Sequence, residues 1–501
     1  MARHRHSAAR GLLACLLALP GALAPPAAMA QGAPEVLELR GRITDADLHR
    51  YVEVPFQVPA GTARISVDFD YEGRQDRTVI DLGLLDPAGF RGWSGGSKRA
   101  FTVALDDATP SYLPGALPAG TWKLMLGVPN IRPGHGADYV ARLTLTRADQ
   151  PERVPALVTP TLRAQPGWYR GDLHMHSAHS DASCASQSGR KVPCPVFLTL
   201  QAAAQAGLDF VALTDHNTVS HLADIRELQP FFDRLLLIPG MELTTFQGHA
   251  NVFGLQQWLD FRLGSAALPD WNAVLDQVQA RGLLLSINHP MLPNDETCMG
   301  CGWTPQVPVD MARIAVVEAV NGQDADTPHS GMAFWHRLLD QGLQVTGVGG
   351  SDNHDATHRV AMADKTTPVG HPVTVVHAQA LSQDAILEGI RAGQVYIDAQ
   401  GGRGRTLEVV VDCGRGPQPM GARIRQVAGS PCQGRIEVTG LAGARPVLWL
   451  DGAQVATLRA EGQNAWRFPL RADGHRHWVR ADVRDAQGRL ALVGNPIYLL
   501  P

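Results

Sequence analysis

The chain is 501 residues long, 45% hydrophobic and 18% charged, a composition that excludes a disordered or low-complexity protein. Its formal net charge of −4 comes with no long charged run, which argues against a nucleic-acid backbone as partner. No uninterrupted apolar stretch reaches the roughly 20 residues of a spanning helix, so no transmembrane anchor is expected.

Residues 1–30 read as a processing signal. Arg3, Arg5 and Arg10 form a positive n-region, 11–24 is an apolar core interrupted at Pro20, and Ala28-Met29-Ala30 offers a small-x-small cleavage site before Gln31. The expectation is a secreted or periplasmic protein cleaved after Ala30. Cys15 lies inside the apolar core, not after it, which discounts a lipoprotein acylation site. Loss of the three arginines takes Lys+Arg from 44 to 41 against 48 acids, a net charge near −7. About 470 residues remain, enough for two to four domains.

From 35 to 147 short runs alternate with period two, as in Arg64-Ile65-Ser66-Val67-Asp68-Phe69, between turns such as Pro59-Ala60-Gly61. This predicts an N-terminal β-sandwich over 31–150. Trp93, in a Gly-rich loop, and Trp122 are candidate carbohydrate or partner contacts, but core packing is the simpler reading. Residues 150–166, with Pro151, Pro155, Pro160 and Pro166, read as a linker.

From Tyr169 strand-like and helix-like runs alternate. Strands are predicted over 171–176, 208–214, 235–238, 283–287, 314–320, 344–348 and 373–377, and helices over 196–206, 222–232, 271–281, 332–341 and 382–391. Strands joined by helical crossovers point to a parallel β/α barrel over 166–400. From 404 to 501 alternation of period two returns and predicts a smaller C-terminal β-rich domain.

The polar residues gather where the barrel strands end. The first strand leads into Gly171-Asp172-Leu173-His174-Met175-His176-Ser177-Ala178-His179-Ser180-Asp181, the second into Thr214-Asp215-His216, and the third into Gly240-Met241-Glu242 with Gly248-His249 beyond it. A fourth closes on Asn288-His289-Pro290, a late one on Ser351-Asp352-Asn353-His354. In a β/α barrel such ends open on one face. Several histidines and acids on one rim leave an uncompensated polar cluster unless cations sit among them, and imidazole with carboxylate suits manganese, zinc or iron.

These motifs, in this order and spacing over 169–399, resemble those of the polymerase-and-histidinol-phosphatase (PHP) superfamily. The leader, the sandwich, Gly248-His249-Ala250-Asn251-Val252-Phe253-Gly254 and Cys298-Met299-Gly300-Cys301-Gly302-Trp303 further resemble its CehA/McbA-type branch. The resemblance implies a distorted seven-unit β/α barrel, flanked in the chain by β-sandwich domains, that holds two or three divalent cations. His174, His176, Glu242 and Asp352 would hold one, Asp181, His216 and His354 a second, and Glu242, His249 and His289 a third. His179 becomes a rim residue or substrate contact, and Asp215 an orienting residue.

Such cations present a bridging hydroxide to an electrophile, with no protein nucleophile. A small phosphoester is the preferred substrate, with Arg359 and Lys365 candidates to hold its phosphate unless they belong to a solvated loop. A carbamate, ester or amide is the alternative, since the branch includes carbamate hydrolysis. A non-catalytic protein that captures a metal or a glycan is the third reading.

Six cysteines follow the leader. Cys184 and Cys194 lie in the loop after the first motif, Cys298 and Cys301 in the loop after His289. Direct closure of Cys298 on Cys301 makes the tight C-x-x-C ring typical of redox exchange, so the two loops are expected to be cross-linked to each other, with Trp303 as a wall of the site. A four-cysteine zinc site is the rival, and Cys413 is expected to pair with Cys432.

Overall fold

A computed structural model describes residues 35–96, 98–105, 107–109, 112–147, 160–294, 298, 300–357 and 367–501. The leader, most of the linker, and both Arg359 and Lys365 lie outside the described residues. The chain divides into two compact units, Met1–Glu152 and Arg153–Pro501.

The first unit holds β1 (Glu35–Thr44), β2 (Tyr51–Val58), β3 (Thr62–Tyr71), β4 (Val79–Asp86), β5 (Gly89–Gly95), β6 (Ala100–Ala104), β7 (Gly120–Asn130) and β8 (Gly136–Arg147). They form two antiparallel sheets, β1-β8-β3-β6 and β2-β7-β4-β5. Alternation along the pleat sends Ile65, Val67 and Phe69 of β3 and Trp122, Leu124 and Leu126 of β7 into one core. Trp122 is fully buried and donates its indole N–H to the carbonyl of Pro118 at 2.9 Å, the packing role that its sequence context favours.

The second unit begins with β9 (Gly167–Asp172), the small hairpin β10 (Ser183–Ala185) and β11 (Lys191–Pro193), then α1 (Val196–Ala206), β12 (Phe210–Leu213), α2 (Leu222–Leu228), β13 (Leu236–Thr245) and β14 (Gly248–Phe253). It continues through α3 (Trp271–Ala280), β15 (Leu284–Ile287), β16 (Val316–Asn321), α4 (Met332–Asp340), β17 (Thr346–Gly350), β18 (Val373–Ala378), α5 (Gln383–Arg391) and β19 (Val395–Asp398). The strands run β17-β16-β15-β14-β13-β12-β9-β18-β19 in one sheet, a distorted β/α barrel. Helix α1 turns Val196, Thr199, Leu200 and Ala203 inward, the spacing of an apolar helical stripe, and Gly207 ends it in the left-handed region.

Two features depart from a regular parallel barrel. β13 does not stop at the Pro239-Gly240 pair but runs to Thr245, so Glu242 stands within the strand and not after it. β14 is then inserted antiparallel between β13 and β15, with Thr244 opposite His249 and Ala250 opposite Ile287. The remaining pairs from β9 to β17 are parallel, and β18 is antiparallel to both β9 and β19.

Side chains stitch β17 to its surroundings. The Thr374 hydroxyl of β18 accepts the Gly349 N–H at 2.8 Å and donates to the Gly349 carbonyl at 2.6 Å. Asn495 does the same for Gly347, accepting its N–H and donating to its carbonyl, both at 2.8 Å. Each side chain stands in for one rung of a missing ladder.

From β19 the sheet passes into Leu490–Gly494 and then His477–Arg484. Residues 404–501 therefore share a compact unit with the barrel; part of their strands join its sheet, while Thr406–Asp412, Pro431–Thr439 and Ala465–Arg471 belong to a separate five-stranded sheet. Arg480, fully buried on His477–Arg484, pairs with Asp482, donates to Nε2 of His336 on α4, and lies over the rings of Trp335 and Trp449. Because Nε2 accepts that bond, His336 is held neutral, and burial together with the Arg480 charge lowers its pKa to about 3.

Candidate metal centre

The strand ends bring nine of the predicted side chains together. Three sets place one ligand atom per residue within 4.8 Å of one another: His176, Asp181, His216 and His354; His174, Glu242 and His289; and His174, His176 and Asp352. The grouping differs from the partition the resemblance implies, because His176 also faces the Asp181 set and His174 also faces Glu242 and His289. His249 lies beside these, its Nδ1 3.3 Å from Glu242 Oε1.

Four of the imidazoles share one arrangement. His174 Nδ1 is 3.0 Å from Glu318, His289 Nδ1 is 3.2 Å from the carbonyl of Cys301, and His354 Nδ1 is 2.8 Å from the carbonyl of Asp352. His216 Nδ1 meets the Thr244 hydroxyl and a Glu242 oxygen. The carboxylates and carbonyls only accept, so Nδ1 carries the proton in the neutral ring and Nε2 is left bare. Each Nε2 then points inward: His174 to Glu242 and Asp352 at 3.3 Å each, His289 to Glu242 at 3.3 Å, His354 and His216 to Asp181 at 3.3 and 3.6 Å.

Glu318 went unread in the sequence. It stands inside the apolar run Val316-Val317-Glu318-Ala319-Val320 and is 2% exposed. Its Oε1 faces His174, while Oε2 accepts the His289 backbone N–H at 2.9 Å and the Asn321 amide at 3.0 Å. The signal available was an acid within a strand buried on both faces, a position that needs a partner. Asn288, which donates to Glu242 at 2.9 Å, was likewise quoted only as a neighbour of His289. Gly350 lets Glu318 and His174 meet: a Cβ there collides with the Cβ of His174 and comes 2.5 Å from Glu318 Oε1.

Three non-glycine residues at the rim adopt positive φ, Asn217 at 53°, His289 at 26° and Asp352 at 53°. Such backbone persists where surrounding bonds over-determine it, and it concentrates at working sites.

The charges are strongly coupled. Burial opposes ionisation of Glu242 and Asp352, yet the surrounding histidines hold both well below the usual carboxylate range. Burial also opposes a charged His174, but Asp352, Glu242 and Glu318 outweigh it and raise its pKa well above that of free imidazole. His176 is lowered to about 4 by burial and by the neighbouring His354 and His216. A cation in place of those shared protons matches this balance, and the donor set of imidazole and carboxylate fits manganese, zinc or iron. Buried His174 Nε2 and both ring nitrogens of His249 also lack hydrogen-bond partners, which suits ligand atoms of a cation site.

The site grades from dry to open. The side chains of His174, His176 and Glu242 are fully buried, those of Asp352, His216 and His354 are about a quarter exposed, and that of Asp181 is 60% exposed. Asp215 sits behind this rim, where it accepts from the Ser177 N–H and hydroxyl, each at 2.8 Å, and from Ser180 at 2.7 Å, so it orders the loop of the first motif. His179 bonds Ser220 and Asp224 with its two ring nitrogens at 2.7 and 2.8 Å.

The expected cross-link between the cysteine loops does not form. Cys184 closes on Cys194 across the β10–β11 hairpin, Cys298 closes on Cys301, and Cys413 closes on Cys432. The hairpin sets Cys184 opposite Val192, two residues before Cys194, whose N–H donates to the Ala182 carbonyl, so local pairing satisfies that loop, and with both pairs closed the four-cysteine zinc site is excluded as well. Trp303 is not a wall pinned by such a bridge. Its ring packs on Trp271, with centroids 4.7 Å apart, as part of the core beside β14.

No family model and no curated protein matches the chain. Among solved structures, a two-domain protein of Bacteroides vulgatus containing a predicted PHP-like metal-dependent phosphoesterase is similar at 18% identity, covering 66% of this chain and 96% of its own, with a TM-score of 0.37. The capsid asymmetric unit of cyanophage Pam1 is similar at 21% identity over 26% of this chain and 99% of its own, with a TM-score of 0.15.

Proposed function

We propose that the protein is an exported hydrolase dependent on two or three divalent cations, a phosphoesterase of the PHP superfamily and its CehA/McbA-type branch. The observation that carries the reading is the set of four imidazoles whose Nδ1 atoms are tied to Glu318, Cys301, Asp352 and Thr244 while their Nε2 atoms converge on Glu242, Asp352 and Asp181. Bound at such ligands, cations supply Lewis acidity and lower the pKa of water towards neutrality. The chain itself supplies the fixed frame: Glu242 and His174 at the dry floor, and Asp181, His216 and His354 at the open rim where substrate enters. Export is supported by the leader-like residues 1–30.

Metal analysis paired with hydrolysis of a phosphodiester, a phosphomonoester and an aryl carbamate tests the proposal. The expected result is cation-dependent turnover of a phosphoester, abolished by chelator and reduced at least about a hundredfold in Asp352→Ala and His216→Ala. Turnover of the carbamate alone transfers the same site to carbonyl chemistry. Turnover indifferent to chelator and to both substitutions overturns the reading.

A further inference from the structure

The Cys298–Cys301 disulfide lies outside the ligand sets but reaches them through the backbone. The carbonyl of Cys301 receives His289 Nδ1, the bond that aims His289 Nε2 at Glu242. The same turn is wedged against the end of the β13–β14 hairpin, which supplies Glu242 and His249. A Cβ on Gly300, at φ +86°, collides with the Thr245 carbonyl and comes 2.9 Å from Phe246 Cα. Thr304 N–H donates to the Gln247 carbonyl at 3.1 Å, and Trp303 N–H to the Pro290 carbonyl at 3.2 Å. The residues from Gly300 to Thr304, tied to Cys298 by the disulfide, thus brace two strand ends that must stay in register for Glu242 and His289 to meet. Cys301 is 2% exposed whereas Cys298 is partly exposed, so Cys298 is the more accessible residue of the pair.

We propose that this disulfide is a redox-dependent positioning element for the cation position built from His174, Glu242 and His289, an inference that rests on the metal reading above. In the oxidised state the closed ring holds the Cys301 carbonyl against His289. A dithiol reductant opens it by exchange: one thiolate attacks Cys298 Sγ, the Cys298–Cys301 bond breaks, and the second thiolate releases the mixed disulfide. Two electrons and two protons pass to Cys298 and Cys301, and the reductant leaves as its own disulfide. The freed turn lets the Cys301 carbonyl swing away, His289 loses its fixed ring orientation, and that position alone releases its cation. The Asp181, His216 and His354 position, braced by other bonds, keeps its own.

The test counts manganese(II) bound to the full chain, because manganese prefers oxygen and imidazole and competes little for free thiols. Protein is compared oxidised, after reduction with a phosphine that is then removed, and after reoxidation, alongside the Cys298→Ser/Cys301→Ser variant. The expected result is one manganese equivalent fewer on reduction, recovered on reoxidation, with the variant fixed at the lower count whether or not reductant is added. Equal counts in both redox states overturn the proposal and leave the metal reading intact. Loss of every cation on reduction overturns it too, because the effect is then global. Absence of bound cation in the oxidised protein overturns the metal reading beneath it.

Discussion

Glu318 joins three strand ends through one carboxylate, touching His174, the backbone of His289 and Asn321. Its removal leaves every ligand in place but takes the acceptor from His174 Nδ1. Glu318→Ala is therefore expected to weaken manganese binding by about 10–100-fold while the fold persists, measured by calorimetric titration. His354 contributes to the pH dependence of the site, together with the other histidines whose pKa values the carboxylates raise. Burial works against its charge, but Asp181 and Asp352 outweigh that and push its pKa up to about 9, against about 6.5 in an unfolded chain. The raised value stabilises the cation-free fold fully below pH 6.5, and the contribution is lost as pH rises through 9. A cation must displace the same proton. Apparent manganese affinity is thus expected to climb about tenfold per pH unit for each proton released and to level off above about pH 9, while the chelated protein loses melting temperature over that range.

At the level of elements, the outer ligands were legible because each follows an apolar run: Asp215-His216 after β12, His289 after β15, Asp352 after β17. A polar residue at the end of a buried strand is a discontinuity that periodicity detects. Glu318 breaks no such boundary, since it sits mid-strand and pairs with a residue 144 positions away. The antiparallel β14 was hidden for another reason: Pro239-Gly240 resembles a strand stop, yet Gly240 is kept in the ladder opposite Phe253. The Cys413–Cys432 pair was read correctly, but the pairing of the four earlier cysteines was misread because spacing does not dictate connectivity, and the β10–β11 hairpin that decides it for Cys184 and Cys194 is only three residues per strand. Gly350 is where element packing and site meet. Gly350→Ala is expected to cost about 1–3 kcal/mol of stability by overpacking, seen in urea denaturation, and to lower cation occupancy by separating His174 from Glu318.

Across the second unit, the barrel strands continue into part of the C-terminal region in one sheet, and Asn495 bridges Gly347 and Val395 within it. Asn495 is fully buried, and truncation takes the side-chain partner from both the N–H and the carbonyl of Gly347, while Val395 keeps the Asn495 backbone N–H. Asn495→Ala is expected to destabilise this unit by about 2–5 kcal/mol and to lower cation affinity as well, although no ligand is touched, because β17 carries Asp352. Parallel chemical denaturation with and without manganese separates the two effects. No helix among the described residues is long and apolar enough to cross a membrane.

The stitch between Asn495 and Gly347 spans 148 residues, a separation whose closure costs chain entropy that local contacts do not. Loop closure of that length must come before the bond that rewards it. The expectation is that the β17 edge latches after the first histidines are in place, with cation loading at the final stage of maturation. Metal supplied during refolding should accelerate only the last kinetic phase and leave the earlier ones unchanged.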